Sequence, residues 1–154
     1  VAFGPRFTAH RRPGGRCRVG YKYGGGVLGP DGAVYALPYD AHLVLRVGPD
    51  DAVEPLAITA DHDDFACHNK WQNGFVGRDG CVYAIPVSAP AVLRIDPTTR
   101  AVSTVGREVC GAGLEKWEGG VVHDGAMYCV PQAAARVLKL DPGPPRDAPR
   151  ANRP

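Results

Sequence analysis

An all-β chain of short antiparallel strands is what these 154 residues predict, and three observations carry the prediction. The composition is rich in turns: 20 Gly and 15 Pro exceed globular averages, whereas 44% hydrophobic and 22% charged residues match them. The chain repeats itself three times, and every copy alternates β-prone runs with Asp-Gly or Pro punctuation. The length suits one domain or part of a larger one, and the breakers argue against a helical bundle. No apolar run approaches the ~18–20 residues of a membrane span, and Val1 in place of Met reads as a processed or excised start. The compartment stays open.

The copies start at Lys22 (KYGGGVLGPDGAVYALP), Lys70 (KWQNGFVGRDGCVYAIP) and Lys116 (KWEGGVVHDGAMYCVP). In each, a first strand follows the Lys-aromatic pair and runs to a hairpin turn. Asp31-Gly32, Asp79-Gly80 and Asp124-Gly125 are expected to supply the positive φ of a tight turn. Second strands follow at Val34–Leu37, Val82–Ile85 and Met127–Val130, each stopped by a proline (Pro38, Pro86, Pro131) that cannot donate to a ladder. In the third strands Leu45 and Val47, Leu93 and Ile95, and Leu138 and Leu140 share one face. Arg46, Arg94 and Lys139 take the other, less buried face. Ala52–Leu56 and Ala101–Val105 supply a fourth strand to the first two copies. After Asp141 the chain is too rich in proline to do the same.

Four antiparallel strands per repeat of about 45 residues is the pattern of a β-propeller blade. Over residues 22–142 the chain resembles β-propeller repeat proteins, through its GPDG-x-Val-Tyr hairpins and Val-Leu-Arg-Ile-Asp-Pro strands. It is loosely similar to the NHL and streptogramin-lyase-like propellers. The resemblance implies a fold and leaves activity open, because propellers host hydrolases, lyases, lectins and scaffolds.

The expected division is a basic arm at 1–21 that supplies an outer blade strand, blades at 22–69 and 70–115, a blade of three strands at 116–142, and a Pro/Arg-rich tail at 143–154. Val1, Phe3 and Phe7 share a face at period two and are the candidates for that outer strand. Three blades are too few to close, since propellers typically have four to eight. Either a second copy joins head to tail and completes a six-bladed disc, or the chain is one segment of a longer propeller or a wedge docked on a partner protein.

Charge is segregated. Arg6, Arg11, Arg12, Arg16, Arg18 and Lys22 meet no acid in the first thirty residues, and an acidic stretch follows from Asp31. The arm has few interleaved aromatics, which speaks against nucleic acid as a partner. Five cysteines without CxxC spacing (Cys17, Cys67, Cys81, Cys110, Cys129) argue against a disulfide framework or structural zinc. Cys17, Cys67 and Cys110 each precede a repeat lysine, and small buried residues in turning loops explain them better than a thiolate cluster.

Lys22, Lys70 and Lys116, with Tyr23, Trp71 and Trp117, open the innermost strands, so an axial ring for an anion or a sugar is one expectation. Against it stand lysine pairing with a neighbouring carboxylate (Asp50, Asp96 or Asp141) and aromatics wedged between blades. Asp61, His62, Asp63, Cys67 and His68 hold metal donors in a single loop, but their mixed O, N and S set matches no known spacing, so a solvated acidic loop and no metal are expected. No cofactor motif is present: Gly24-Gly25-Gly26 lacks the Lys-Ser/Thr of a phosphate loop. Neither serine, Ser88 or Ser103, lies in a nucleophile elbow. The favoured function is a non-catalytic interaction module within a larger assembly. The alternative is a ligand-binding or lyase/lactonase-like propeller with an axial site.

Overall fold

The computed structural model describes residues 2–4, 20–59 and 69–145. Three antiparallel sheets follow one another along the chain, each with its strands in sequence order. The first holds β1 (Tyr23–Leu28), β2 (Val34–Pro38), β3 (Leu43–Val47) and β4 (Val53–Ala57). The second holds β5 (Trp71–Val76), β6 (Val82–Pro86), β7 (Val92–Ile95) and β8 (Val102–Val105). A four-residue helix, α1 (Arg107–Cys110), precedes the third, which has three strands: β9 (Trp117–His123), β10 (Ala126–Pro131) and β11 (Leu138–Leu140). The chain is a partial β-propeller of three blades. Among the described residues no helix is long and apolar enough to cross a membrane.

Blade-to-blade contact concentrates on the first strands, where β1 lies against β5 and β5 against β9. The blades therefore converge on that edge, which faces the propeller axis. Two apolar cores fill the gaps. Tyr35, Leu37 and Val44 of the first blade meet Trp71, Val82, Ala84 and Leu93 of the second. Phe75, Tyr83, Ile85 and Val92 of the second meet Trp117, Met127, Cys129 and Leu138 of the third. The middle blade is covered on both faces, so β6 is buried throughout and alternation of apolar and polar residues is lost in it. Proline is tolerated inside β4, at Pro55, because β4 is the outer edge of its sheet. Past β4, Ile58 bridges to Val102, so the first blade's exit runs beside the outer strand of the second.

The Asp-Gly turns are of two kinds, which corrects the expectation of one. In the third blade Asp124 (φ 48°) and Gly125 (φ 72°) make a two-residue turn between paired His123 and Ala126. In the first two blades only the glycine has positive φ. The loop spans five residues there, closed by Gly29 N–H to the Ala33 carbonyl or Gly77 N–H to that of Cys81. The aspartate instead turns its carboxylate inward to accept the Ala33 or Cys81 N–H. Residues 2–4 are not in a strand, and Gly4 sits against Val53 of the first blade. Positions 1, 5–19, 60–68 and 146–154 lie outside the described residues. So do Cys17, Asp61, His62, Asp63, Cys67 and His68.

Candidate functional site

Two of the three repeat lysines, Lys70 and Lys116, meet backbone carbonyls where carboxylate partners were expected. Lys70 is 3% exposed; its N–H and its Nζ both donate to the Tyr39 carbonyl, at 2.9 and 3.0 Å. Lys116 is 6% exposed, with its N–H 2.7 Å from the Val87 carbonyl and its Nζ donating to those of Ala89 (2.9 Å) and Gly113 (3.0 Å). Tyr39 and Val87 hold the same repeat position, one past the proline that stops the second strand. Burial pulls the Lys70 pKa down to about 8, against an opposing pull from Asp40, and lowers that of Lys116. The expected partners are engaged elsewhere: Asp50 and Asp96 cap their own turns, and Asp141 pairs with Arg78 at 2.8 Å.

Trp71 and Trp117 are buried between blades. Their indole N–H groups donate to the Ala91 and Arg136 carbonyls at 2.8 and 2.7 Å. An exposed tryptophan platform for a sugar is therefore not formed. Lys22 and Tyr23 stay at the open end, Lys22 exposed and Tyr23 half-buried, with the Tyr23 pKa pushed up to about 12 by burial.

Beside Tyr23 is a cleft of about 260 Å³ lined by Tyr21, Tyr23, Gly24, Tyr39 and Gln72. Tyr21 and Tyr39 stand edge to face, 6.4 Å between centroids at 77°, and make a corner. Asp40 holds that corner: Oδ2 accepts the Tyr21 N–H at 3.1 Å, and Oδ1 accepts the Asn69 N–H at 3.0 Å. Gly24 is needed because a Cβ there would come within 2.8 Å of the Tyr39 ring and 3.1 Å of the Trp71 carbonyl. Gln72 donates to Glu118 at 3.0 Å. Burial raises the Tyr39 pKa, and Glu118, Asp40, Glu115 and the neighbouring Tyr21 raise it further. Sequence reading missed Tyr21, Tyr39 and Gln72, since their meeting depends on how two blades pack.

A second constellation lies on the strands. Asp31 Oδ2 accepts the Tyr35 hydroxyl at 2.9 Å and Arg46 at 2.8 Å, and Asp79 Oδ2 accepts the Tyr83 hydroxyl at 2.9 Å with Arg94 at 3.7 Å. Burial raises the Asp31 carboxyl pKa, but Arg46, Tyr35 and the Ala33 N–H outweigh it and hold it below the usual range. These triads tie each hairpin to the third strand. In the third blade Asp124 faces solvent beside His123, and Lys139 instead lies over the Tyr128 ring at 5.4 Å.

Cys81, Cys110 and Cys129 are buried in the second core. Burial raises the pKa of Cys110 and pushes that of Cys129 up to about 12, which keeps them protonated. Among the described residues no group of three His, Cys, Asp or Glu side chains could hold a metal ion.

No family model and no curated protein matches the chain. Solved structures do. A streptogramin B lyase superposes with a TM-score of 0.54 at 13% identity, over 79% of this chain and 41% of that one. Virginiamycin B lyase from Staphylococcus aureus superposes at 0.51 and 13%, over 78% of this chain and 41% of that one. A catalytically inactive form of that lyase with Quinupristin gives 0.51 and 13%, over 79% and 42%. This chain spans about two fifths of the length of these structures, and at such identity the likeness is one of fold: its three sheets are β-propeller blades similar to those of streptogramin B lyase.

Proposed function

We propose that the chain is a non-catalytic interaction module whose two open blade faces receive further blades, supplied by a second copy. One observation supports this above the others. Val121, Val130 and Val137 hold the repeat positions of Phe75, Ile85 and Val92, which the third blade buries, yet they are 63%, 58% and 58% exposed. At the opposite end Val34 and Leu28 are exposed, at the positions of the covered Val82 and Val76. The two ends thus offer the two halves of the same joint. Joining them head to tail gives six blades, within the four to eight of closed propellers.

Native mass tests the reading. Twice 16.3 kDa is expected, and Val130→Asp with Val137→Asp should return the mass to that of one chain. A wild-type chain that stays at 16.3 kDa at high micromolar concentration overturns it, and so does a particle of more than two copies.

A ligand-binding propeller is the second reading, favoured by the tyrosine-walled cleft at the axial edge. Tyr23 lines it, and Lys22 falls between the lining residues Tyr21 and Tyr23 in sequence. Saturable binding of any small molecule that Tyr39→Leu abolishes supports it.

A further inference from the structure

We propose that the cleft between the first two blades binds a small alkylammonium group, held in the corner of the Tyr21, Tyr23 and Tyr39 rings. The proposal rests on the ligand-binding reading and names its ligand class. Three features of the site carry it.

The first is shape. The walls are aromatic, the two rings of known geometry stand at 77° to each other, and a cation over such faces is attracted by the ring quadrupole. Gly24 leaves the floor bare, and a side chain there would run into Tyr39 and the backbone at Trp71. At about 260 Å³ the space falls short of the roughly 300–1,000 Å³ of drug-sized pockets, so it suits a head group or the tip of a side chain.

The second is charge. An axial lysine ring would favour an anion, but Lys70 and Lys116 turn their ammonium groups onto carbonyls between blades. The side chains that bracket the cleft are Asp40, which fixes Tyr21, and Glu118, which holds Gln72. Lys22 lies between Tyr21 and Tyr23 in sequence and opposes a cation, which gives the test its sign.

The third is preorganisation. Asp40 accepts the backbone N–H groups of Gly20, Tyr21 and Asn69, and so fastens the segment that carries the Tyr21 ring beside Tyr39. Holding the rings in place lowers the ordering cost of binding.

The test is titration of the whole chain with choline, a trimethylalkylammonium ion, followed by the ligand's methyl proton shifts. The controls are the neutral isostere 3,3-dimethyl-1-butanol, methyl glucoside, and inorganic sulfate. Saturable binding near a millimolar is expected for the ammonium. Tyr21→Leu should weaken it roughly two- to fivefold. Lys22→Gln should strengthen it, whereas a site for anions would weaken for sulfate on the same change. Equal binding of the neutral isostere, or binding of glucoside or sulfate without ammonium, overturns the ligand class and leaves the ligand-binding reading standing. If none of the four binds, both fall.

Discussion

A lysine is charged in the unfolded chain up to about pH 10.4, and Lys70 must lose its water to fold. Its native pKa of about 8 lies below its unfolded value, so between pH 8 and 10.5 the unfolded state binds more protons and stability rises with pH. The gain is at most about 3 kcal/mol, with Lys116 adding in the same direction. Buried tyrosines act oppositely. Tyr23 and Tyr83, pushed up to about 12 by burial, ionise first in the unfolded chain, so stability falls above about pH 10. Urea midpoints measured from pH 7 to 11.5 should therefore climb, peak near 10 and drop. Lys70→Met should flatten the climb and keep the drop; an unchanged climb in that variant would assign it to other groups. The sequence marks these lysines as repeated, but not where they point. Lysine at an inner strand start suits a channel or a joint equally, and only the packing of Tyr39 and Val87 against the next blade decides it.

Hairpins show where sequence patterns work and where they stop. All three Asp-Gly pairs are turns, and the spacing from repeat lysine to aspartate, nine residues at Lys22–Asp31 and Lys70–Asp79 but eight at Lys116–Asp124, already contains the shortened loop of the third blade. What the shortening does was not legible. Without one residue, Asp124 enters the left-handed region and faces out, so the tie that Asp31 and Asp79 make to Tyr35 and Tyr83 is lost there. The Asp-Tyr-Arg triads were hidden for a related reason: Tyr35 and Arg46 are partners only through strand register. The longer loops also require glycine ahead of the aspartate, because a Cβ at Gly77 would lie 2.7 Å from both the Tyr83 ring and Pro142. Gly77→Ala should cost about 1–3 kcal/mol, measured by urea unfolding. Gly119→Ala meets open space and should stay within about 0.5 kcal/mol. Equal effects would mean that the ring does not pack over the glycine.

At the scale of the whole molecule, the order of blades was plain in the sequence because recurrence inside one chain needs no structure to be seen. The cleft was not, since its walls come from the segment before β1, β1 itself, the loop after β2, and β5. Each pair of neighbouring blades is joined through one apolar core, and each core contains one indole ring, Trp71 in the first and Trp117 in the second. Nature has thereby placed a separate fluorophore in each seam, with no other tryptophan to confuse them. Replacing Trp117 by Phe leaves emission that reports the first seam alone, and replacing Trp71 by Phe leaves the second. If the seams open independently, as in other stacked repeats, the two variants should redden at different denaturant concentrations. Coincident curves, after allowance for each substitution's own cost, would mean that the three blades melt as one unit.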